Sequence, residues 1–350
     1  MSEGRPDLSL VLVTHRSAAV VGGAVDTFRA EAARLGASSE VVVVDHSEDR
    51  EELDRLGAVR PDTLLAEANR GYAAGVNAGV ARASGEALLV GNPDVRFLAG
   101  SVAALVGALD AGWDIVGPQF VLAGLLFPTA DLQTPGEELR RWLAGRATPL
   151  WRANLRVELR RWSRAWSASA PLPLPSLSGA LLAFRRGVTG RIGPWDERYF
   201  LYFEEAAWLR GAAAAGLRVG LVPQARVEHL WGHTADPGRY GGHFMASRRR
   251  FLTAGFGWRG RLASRLRPGV APLRPQMFPG TAEGLPAGTL RWLLSPTGLG
   301  FPAACLEGEA PVFCQALHTV GRERGRSGRY LVMALRPGTD ALLGLWAAEA

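Results

Sequence analysis

The sequence predicts an α/β fold, a doubly wound and mostly parallel sheet, with a smaller β-rich module after it. Three observations support this. Leu8–Thr14 and residues 40–44 are apolar, β-branched runs with no polar alternation, as expected of strands buried on both faces. Stretches of helical spacing separate such runs, and polar residues stand directly after them, at Asp45, Asn69 and Asp94. In open α/β sheets, ligands bind at those carboxyl ends. The chain has 350 residues, more than one core of about 150 comfortably holds, so two domains are expected, 1–268 and 269–350.

The first strand ends at Thr14, a helix follows over Ala18–Leu35, and the second strand runs into Asp45. A third unit passes through Leu64 and Leu65 to the loop Asn69-Arg70-Gly71-Tyr72, then a small-residue helix over 73–83. The strand at 87–90 closes in Gly91-Asn92-Pro93-Asp94. Residues 140–166 hold eight Arg and four Trp; Leu155, Leu159 and Trp162 share one helical face, suited either to an anionic lipid surface or to packing on the domain. A Pro-rich connector over 167–178 leads to a strand at 179–184, the loop Trp195-Asp196-Glu197, an Ala-rich helix opened by Glu204 and Glu205, and a strand at 218–222. Residues 240–267 read as an Arg-rich helix. The short apolar runs at 289–294, 312–316, 329–333 and 341–346 read as a small antiparallel β module.

Composition narrows the function. All 40 basic residues are Arg, which excludes a lysine Schiff base, pyridoxal phosphate attachment and a Walker A loop. The net charge of +7 is unevenly spread: residues 1–130 carry −7, 131–268 carry +13 and 269–350 carry +1. A basic block of this kind suits a phosphorylated substrate, an anionic membrane or nucleic acid, and the last lacks any reader motif here. The two cysteines, Cys305 and Cys314, have neither disulfide-framework nor zinc spacing. The N-terminal residues carry no signal-peptide pattern, and no apolar run approaches the roughly 20 residues of a membrane span. The expectation is a cytoplasmic protein whose membrane contact, if any, is peripheral at the inner face.

Several residues carry chemistry. Asp94, a carboxylate at a strand end, suits a divalent cation that bridges the phosphates of a nucleotide sugar, with diphosphate and water completing the shell. Asp45 can accept hydrogen bonds from a nucleobase, and the glycines between Asn69 and Gly79 permit close backbone approach. Each has a plainer counterpart: an aspartate after a strand caps turns, and small residues pack helices tightly. Glu204 or Glu205 can act as a general base, or the pair can simply complement the helix dipole. His229 and His233 stand four apart but lack the HExxH context of a zinc site.

In order, LVLVTHRS, VVVVDHSED, NRGYAAGVNAG, LLVGNPDV, LSGALLAFRR, IGPWDERYFLYFEE and AGLRVGLVPQARVEHLWGHT closely resemble the family 2 glycosyltransferases, rhamnosyltransferase-like branch, over roughly residues 8–255. The resemblance implies a GT-A fold, Rossmann-like, with a nucleotide-binding half in 1–130 and an acceptor half in 131–268. It implies inverting transfer of a hexose, such as rhamnose, from a nucleotide diphosphate to a glycan or lipid-linked acceptor in cell-surface polysaccharide synthesis. Thr14, Asp45, Asn69, Gly71, Asn77, Asn92 and Asp94 would then bind the donor, and Asp94 with His229 would hold Mg²⁺ or Mn²⁺. Trp195, Asp196, Glu197 and Glu204 would lie by the sugar and acceptor, with Glu205 as base. Where such enzymes usually carry Glu-Asp, often with a further acid two residues on, this chain reads Glu204-Glu205-Ala206-Ala207, so the base is one methylene longer. A binding or scaffold protein without turnover is the competing reading; a nucleotidyltransferase lacks its basic N-terminal loop here.

Overall fold

The computed structural model describes residues 5–128, 133–230, 237–267, 272–281, 284–324 and 329–349. The chain forms two compact units, Met1–Gln119 with Ser169–Phe251, and Phe120–Ala168 with Leu252–Ala350. In chain order the first segment contributes β1 (Leu8–Thr14), α1 (Ala18–Leu35), β2 (Ser39–Asp45), α2 (Arg50–Ala58), β3 (Thr63–Ala66), α3 (Tyr72–Arg82), β4 (Ala87–Gly91), β5 (Val95–Phe97) and α4 (Ser101–Asp110). Strand β6 (Ile115–Leu122) is divided between the units at Gln119. Then come β7 (Leu125–Leu126), α5 (Pro135–Ala144) and α6 (Thr148–Trp166) of the second unit. The first unit resumes with β8 (Leu172–Pro173), β9 (Leu181–Arg185), α7 (Gly187–Ile192), α8 (Glu204–Ala214), β10 (Val219–His229) and most of α9 (Pro237–Ala263), which is broken at Gly257. The second ends with β11 (Gln276–Met277), β12 (Leu290–Ser295), β13 (Ala304–Gly308), α10 (Ala310–Arg324), β14 (Arg329–Arg336) and β15 (Ala341–Glu349).

The α/β class expected from the sequence is borne out. In the first unit β3, β2, β1 and β4 are parallel, in that order, and β9 and then β6 continue the sheet antiparallel. β1, β4 and residues 41–45 of β2 are fully buried, and their Val, Leu and Ala side chains form the core against α1 and α3. Gly79 allows that packing, since a Cβ there would fall 2.3 Å from Val11 Cγ1. Register aligns Thr14 with Asp45 and Asp45 with Ala66, so the carboxyl ends finish together.

The second unit is an antiparallel sheet ordered β15-β14-β12-β13-β7, with β11 parallel on the outer edge of β15. Trp292 stacks on Phe313 at 4.7 Å, and Phe278 and Trp346 close the cluster. Two sequence expectations are corrected here. Residues 312–316 are not a strand but lie in α10, where Ala310, Phe313, Ala316, Leu317 and Val320 are buried at helical spacing. The boundary at 268/269 also shifts, because α5 and α6 group with the C-terminal residues: Trp151 Nε1–H donates to Leu299 O at 2.9 Å, and Ser163 Oγ–H to Asp340 Oδ2 at 3.1 Å. Leu155, Leu159 and Trp162 are accordingly buried, and that face of α6 is not available to lipid. The charge follows the units: the first sums to −2 and the second to +9. Among the described residues no helix is long and apolar enough to cross a membrane.

Candidate active site

All the sequence-predicted site residues fall in the first unit, around the carboxyl ends of its parallel strands. Thr14 and Asp45 are buried side by side. Three donors converge on one carboxylate oxygen of Asp45, its Oδ1: Thr14 Oγ1–H at 3.1 Å, Ser47 Oγ–H at 2.6 Å and Ser47 N–H at 3.2 Å. These bonds fix the carboxylate and leave Oδ2 as the oxygen able to meet a ligand.

The loop before α3 is held by Asn69. Its Oδ1 accepts from Gly71 N–H at 3.1 Å, while its own N–H donates to Glu48 Oε1 at 2.9 Å. Gly71 has φ of +97°, and a Cβ there would lie 2.4 Å from Phe200 O. Glycine is required because the turn at Phe200 crosses at contact distance, with Tyr72 N–H donating to the same carbonyl at 2.8 Å. Asn77 is tied to the loop before α8. Its Nδ2–H donates to Trp195 O at 2.9 Å and to Glu197 Oε1 at 3.0 Å, and its Oδ1 accepts from Trp195 N–H at 2.9 Å. Its amide is thus committed to the Trp195-Asp196-Glu197 loop. Glu197 also pairs with Arg70 at 3.1 Å and Asp196 with Arg198 at 2.7 Å, while Trp195 stacks on Trp208 at 5.3 Å.

Asp94 and His229 meet by register, since β10 pairs His229 with Val95 of β5. His229 Nε2 stands 3.2 Å from Asp94 Oδ1, both residues are buried, and Asn92 Nδ2 is 3.5 Å from the same ring nitrogen. His233 lies outside the described residues. No group of three or more His, Cys, Asp or Glu able to hold a metal occurs among the described residues. A hard cation takes about six donors, so one carboxylate and one imidazole fit Mg²⁺ or Mn²⁺ only if ligand oxygens and water complete the shell.

Glu204 and Glu205 open α8 after an unusual turn. Tyr202 and Phe203 have φ of +68° and +69°, the left-handed region that non-glycine residues rarely enter, at roughly 1–3 kcal/mol each. The strain is sustained by packing: Phe203 against Phe244 and Phe251, Phe200 against His243, and Ser247 Oγ–H on Leu201 O at 2.8 Å. The two carboxyl groups are therefore turned inward. Among the described residues, Glu204 Oε2, Glu205 Oε2 and Trp195 Nε1 are buried without hydrogen-bond partners. Burial, reinforced by the charge of Glu205, raises the Glu204 pKa well above the ordinary range. Glu205 is also raised by burial, against backbone N–H donors that include Gly179. A Cβ on Gly179 would sit 3.1 Å from the Glu205 side chain. Tyr72, not singled out by sequence reasoning, donates its hydroxyl to Gly179 O at 3.2 Å. Its own pKa is raised, by burial first and then by the charges of Glu204, Glu205 and Asp94.

No protein-family model matches the chain. Two curated relatives, the N-acetylglucosaminyl-diphospho-decaprenol L-rhamnosyltransferases of Mycobacterium tuberculosis strains CDC 1551 / Oshkosh and ATCC 25618 / H37Rv, are each 32% identical over 187 residues, which is 49% of this chain. The match spans 59% of the relatives' length. Similarity to the rhamnosyltransferase branch, read from the motifs, is thereby borne out. Among solved structures, a mannosyltransferase from Pyrobaculum calidifontis in complex with GDP-Man and Mn²⁺ is 19% identical, with a TM-score of 0.43 over 72% of this chain and 62% of that one. S. aureus TarS is 13% identical, with a TM-score of 0.45 over 71% and 40%. Both structural likenesses are loose.

Proposed function

We propose that the first unit is an inverting glycosyltransferase that moves rhamnose or a related hexose from a nucleotide diphosphate to a hydroxyl of a lipid-linked saccharide. The observation that carries this reading is the Glu204–Glu205 pair at a strained turn, with both Oε2 atoms buried, linked to the Asp94–His229 pair through Gly179 and Ala180: Glu205 lies against Gly179, and Asn92, beside His229, donates its N–H to Ala180 O at 3.0 Å. The sequence relatives support the donor and acceptor class.

Burial raises both Glu204 and Glu205 above the ordinary carboxyl range, so whichever of the two ionises is a stronger base than an exposed glutamate. Glu205 then serves as the base, and its raised pKa makes it a better proton acceptor than an exposed glutamate. It removes the acceptor hydroxyl proton as the oxygen bonds to the anomeric carbon and the bond to the diphosphate breaks. Asp45 Oδ2 meets the base of the nucleotide, the Asn69–Gly71 turn borders the donor, and Asn77 positions the Trp195 loop. Asp94 and His229 would hold Mg²⁺ or Mn²⁺, which would neutralise charge on the leaving diphosphate.

The test compares wild type, Glu205→Gln and Asp94→Ala. The reading requires transfer to fall by at least about a hundredfold in both, with Glu205→Gln still binding nucleotide sugar. Equal transfer in all three overturns it. Donor binding by wild type without transfer to any lipid-linked acceptor favours the scaffold reading instead.

A further inference from the structure

The outer face of α6 is the least expected surface of the second unit. Arg152, Arg156, Arg160 and Arg164 stand four residues apart and are all exposed, so they form one slowly turning ridge about 18 Å long. None of the four side chains makes an ion pair or hydrogen bond among the described residues. The remaining exposed residues of the helix before Trp166 are Pro149, Leu150, Ala153 and Val157, with Leu150 and Val157 41% and 40% exposed. That face therefore contains no acid and no neutral polar group.

An ordinary solvated helix in this protein looks different. On α2 the exposed arginines are matched at i,i+4, Arg50 with Asp54 at 3.1 Å and Arg55 with Glu51. The acids of α5 and α6 are instead turned inward: Glu158 is buried and pairs with Arg140, and Glu137 pairs with Arg140 and Arg161. Arginine is thus abundant throughout the chain, and along this face of α6 it lines a surface whose other members are apolar.

We propose that this face of α6 docks the protein on an anionic lipid bilayer. Guanidinium groups reach phosphate headgroups while Leu150 and Val157 enter the interfacial region between them. The apolar members distinguish a bilayer from a soluble polyanion, which offers them nothing to bury in. The contact uses the face opposite to Leu155, Leu159 and Trp162, which the protein's own core occupies.

Vesicle co-sedimentation of the full chain reads this without turnover, so its outcome is separate from that of the transfer reaction. Wild type is expected to bind vesicles of equal parts phosphatidylcholine and phosphatidylglycerol, to ignore phosphatidylcholine alone, and to release as salt rises. Each arginine contributes about fivefold, so R152Q/R156Q and R160Q/R164Q should each lose roughly 25-fold and the quadruple variant more than a hundredfold. A control with the same change in net charge on the first unit, R34Q/R50Q/R55Q/R82Q, should retain binding. The proposal is overturned by equal losses in the two quadruple variants, by no preference for the anionic lipid, or by tighter binding to heparin or single-stranded RNA than to vesicles.

Discussion

Gly71→Ala probes whether the loop before α3 and the turn before α8 are one assembly. The added Cβ would lie 2.4, 2.7 and 2.9 Å from Phe200 O, Cα and C, all backbone atoms that cannot rotate away. Contact needs about 3.5 Å, so the two segments must part by about 1 Å. Three costs then combine: about 1–2 kcal/mol for a side chain at φ +97°, about 1–3 for overpacking and about 0.5–1.5 for the Tyr72 N–H bond to Phe200 O. The expected destabilisation is roughly 3–6 kcal/mol. Phe200 is four residues before Glu204, so a shift of about 1 Å should also lower kcat of transfer by on the order of a hundredfold. Urea unfolding followed by circular dichroism reads the first quantity and acceptor-saturated kinetics the second. Gly22→Ala is the control: no atom lies within 4 Å of its added Cβ, in mid-helix, and it should stabilise by about 0.5–1 kcal/mol. A Gly71→Ala protein within about 0.5 kcal/mol of wild type would refute the close crossing.

Three further expectations follow from the same contacts. Asn77→Ala frees both backbone groups of Trp195 and should cost about 1–3 kcal/mol while raising KM more than it lowers kcat, as measured by unfolding and steady-state kinetics. Glu204 has a raised pKa in the folded state, so its burial costs nothing below the ordinary value of 4.5 and destabilises progressively as pH rises through the folded value. Glu204→Gln should therefore melt with wild type under acidic conditions and increasingly above it toward neutrality; a difference in Tm that does not grow with pH contradicts this. Trp151→Phe leaves Leu299 O without its donor in a buried site and should lower stability by about 2–4 kcal/mol in thermal melts.

Much of the strand-end geometry was legible in the sequence. Continuous apolar runs followed at once by Asp45 or by Asn-Pro-Asp reveal both the strand and what stands at its end, because polar residues are rare inside a buried parallel strand and need a partner there, as Ser9 has in Glu40. The identity of the inward face of α6 was not legible, since arginines and apolar residues alternate there so closely that either side of the helix reads as amphipathic. Only the contacts of Trp151 and Ser163 decide it. Short windows also hid α10: over five residues 312–316 look extended, and the 3.6-residue period shows only across 310–320. Tyr72 and Phe200 escaped notice because an aromatic next to glycine, or within a run of aromatic and apolar residues such as 199–203, reads as ordinary core. Gly179 was visible as part of the LSGA run, but nothing local says that Glu205 comes to lie against it.

The left-handed pair Tyr202–Phe203 makes the acidity of α8 conditional on a helix distant in the chain. Phe200, Leu201 and Phe203 are all clamped by residues 243–251 of α9. If that stretch undocks, the backbone falls back to an ordinary conformation, both glutamates return to water, and they become ordinary acids. The two segments should then open as one unit in hydrogen exchange, with the amides of 200–206 and 243–251 sharing a single protection factor. Catalytic competence would be lost at that local opening, well before the parallel sheet itself unfolds.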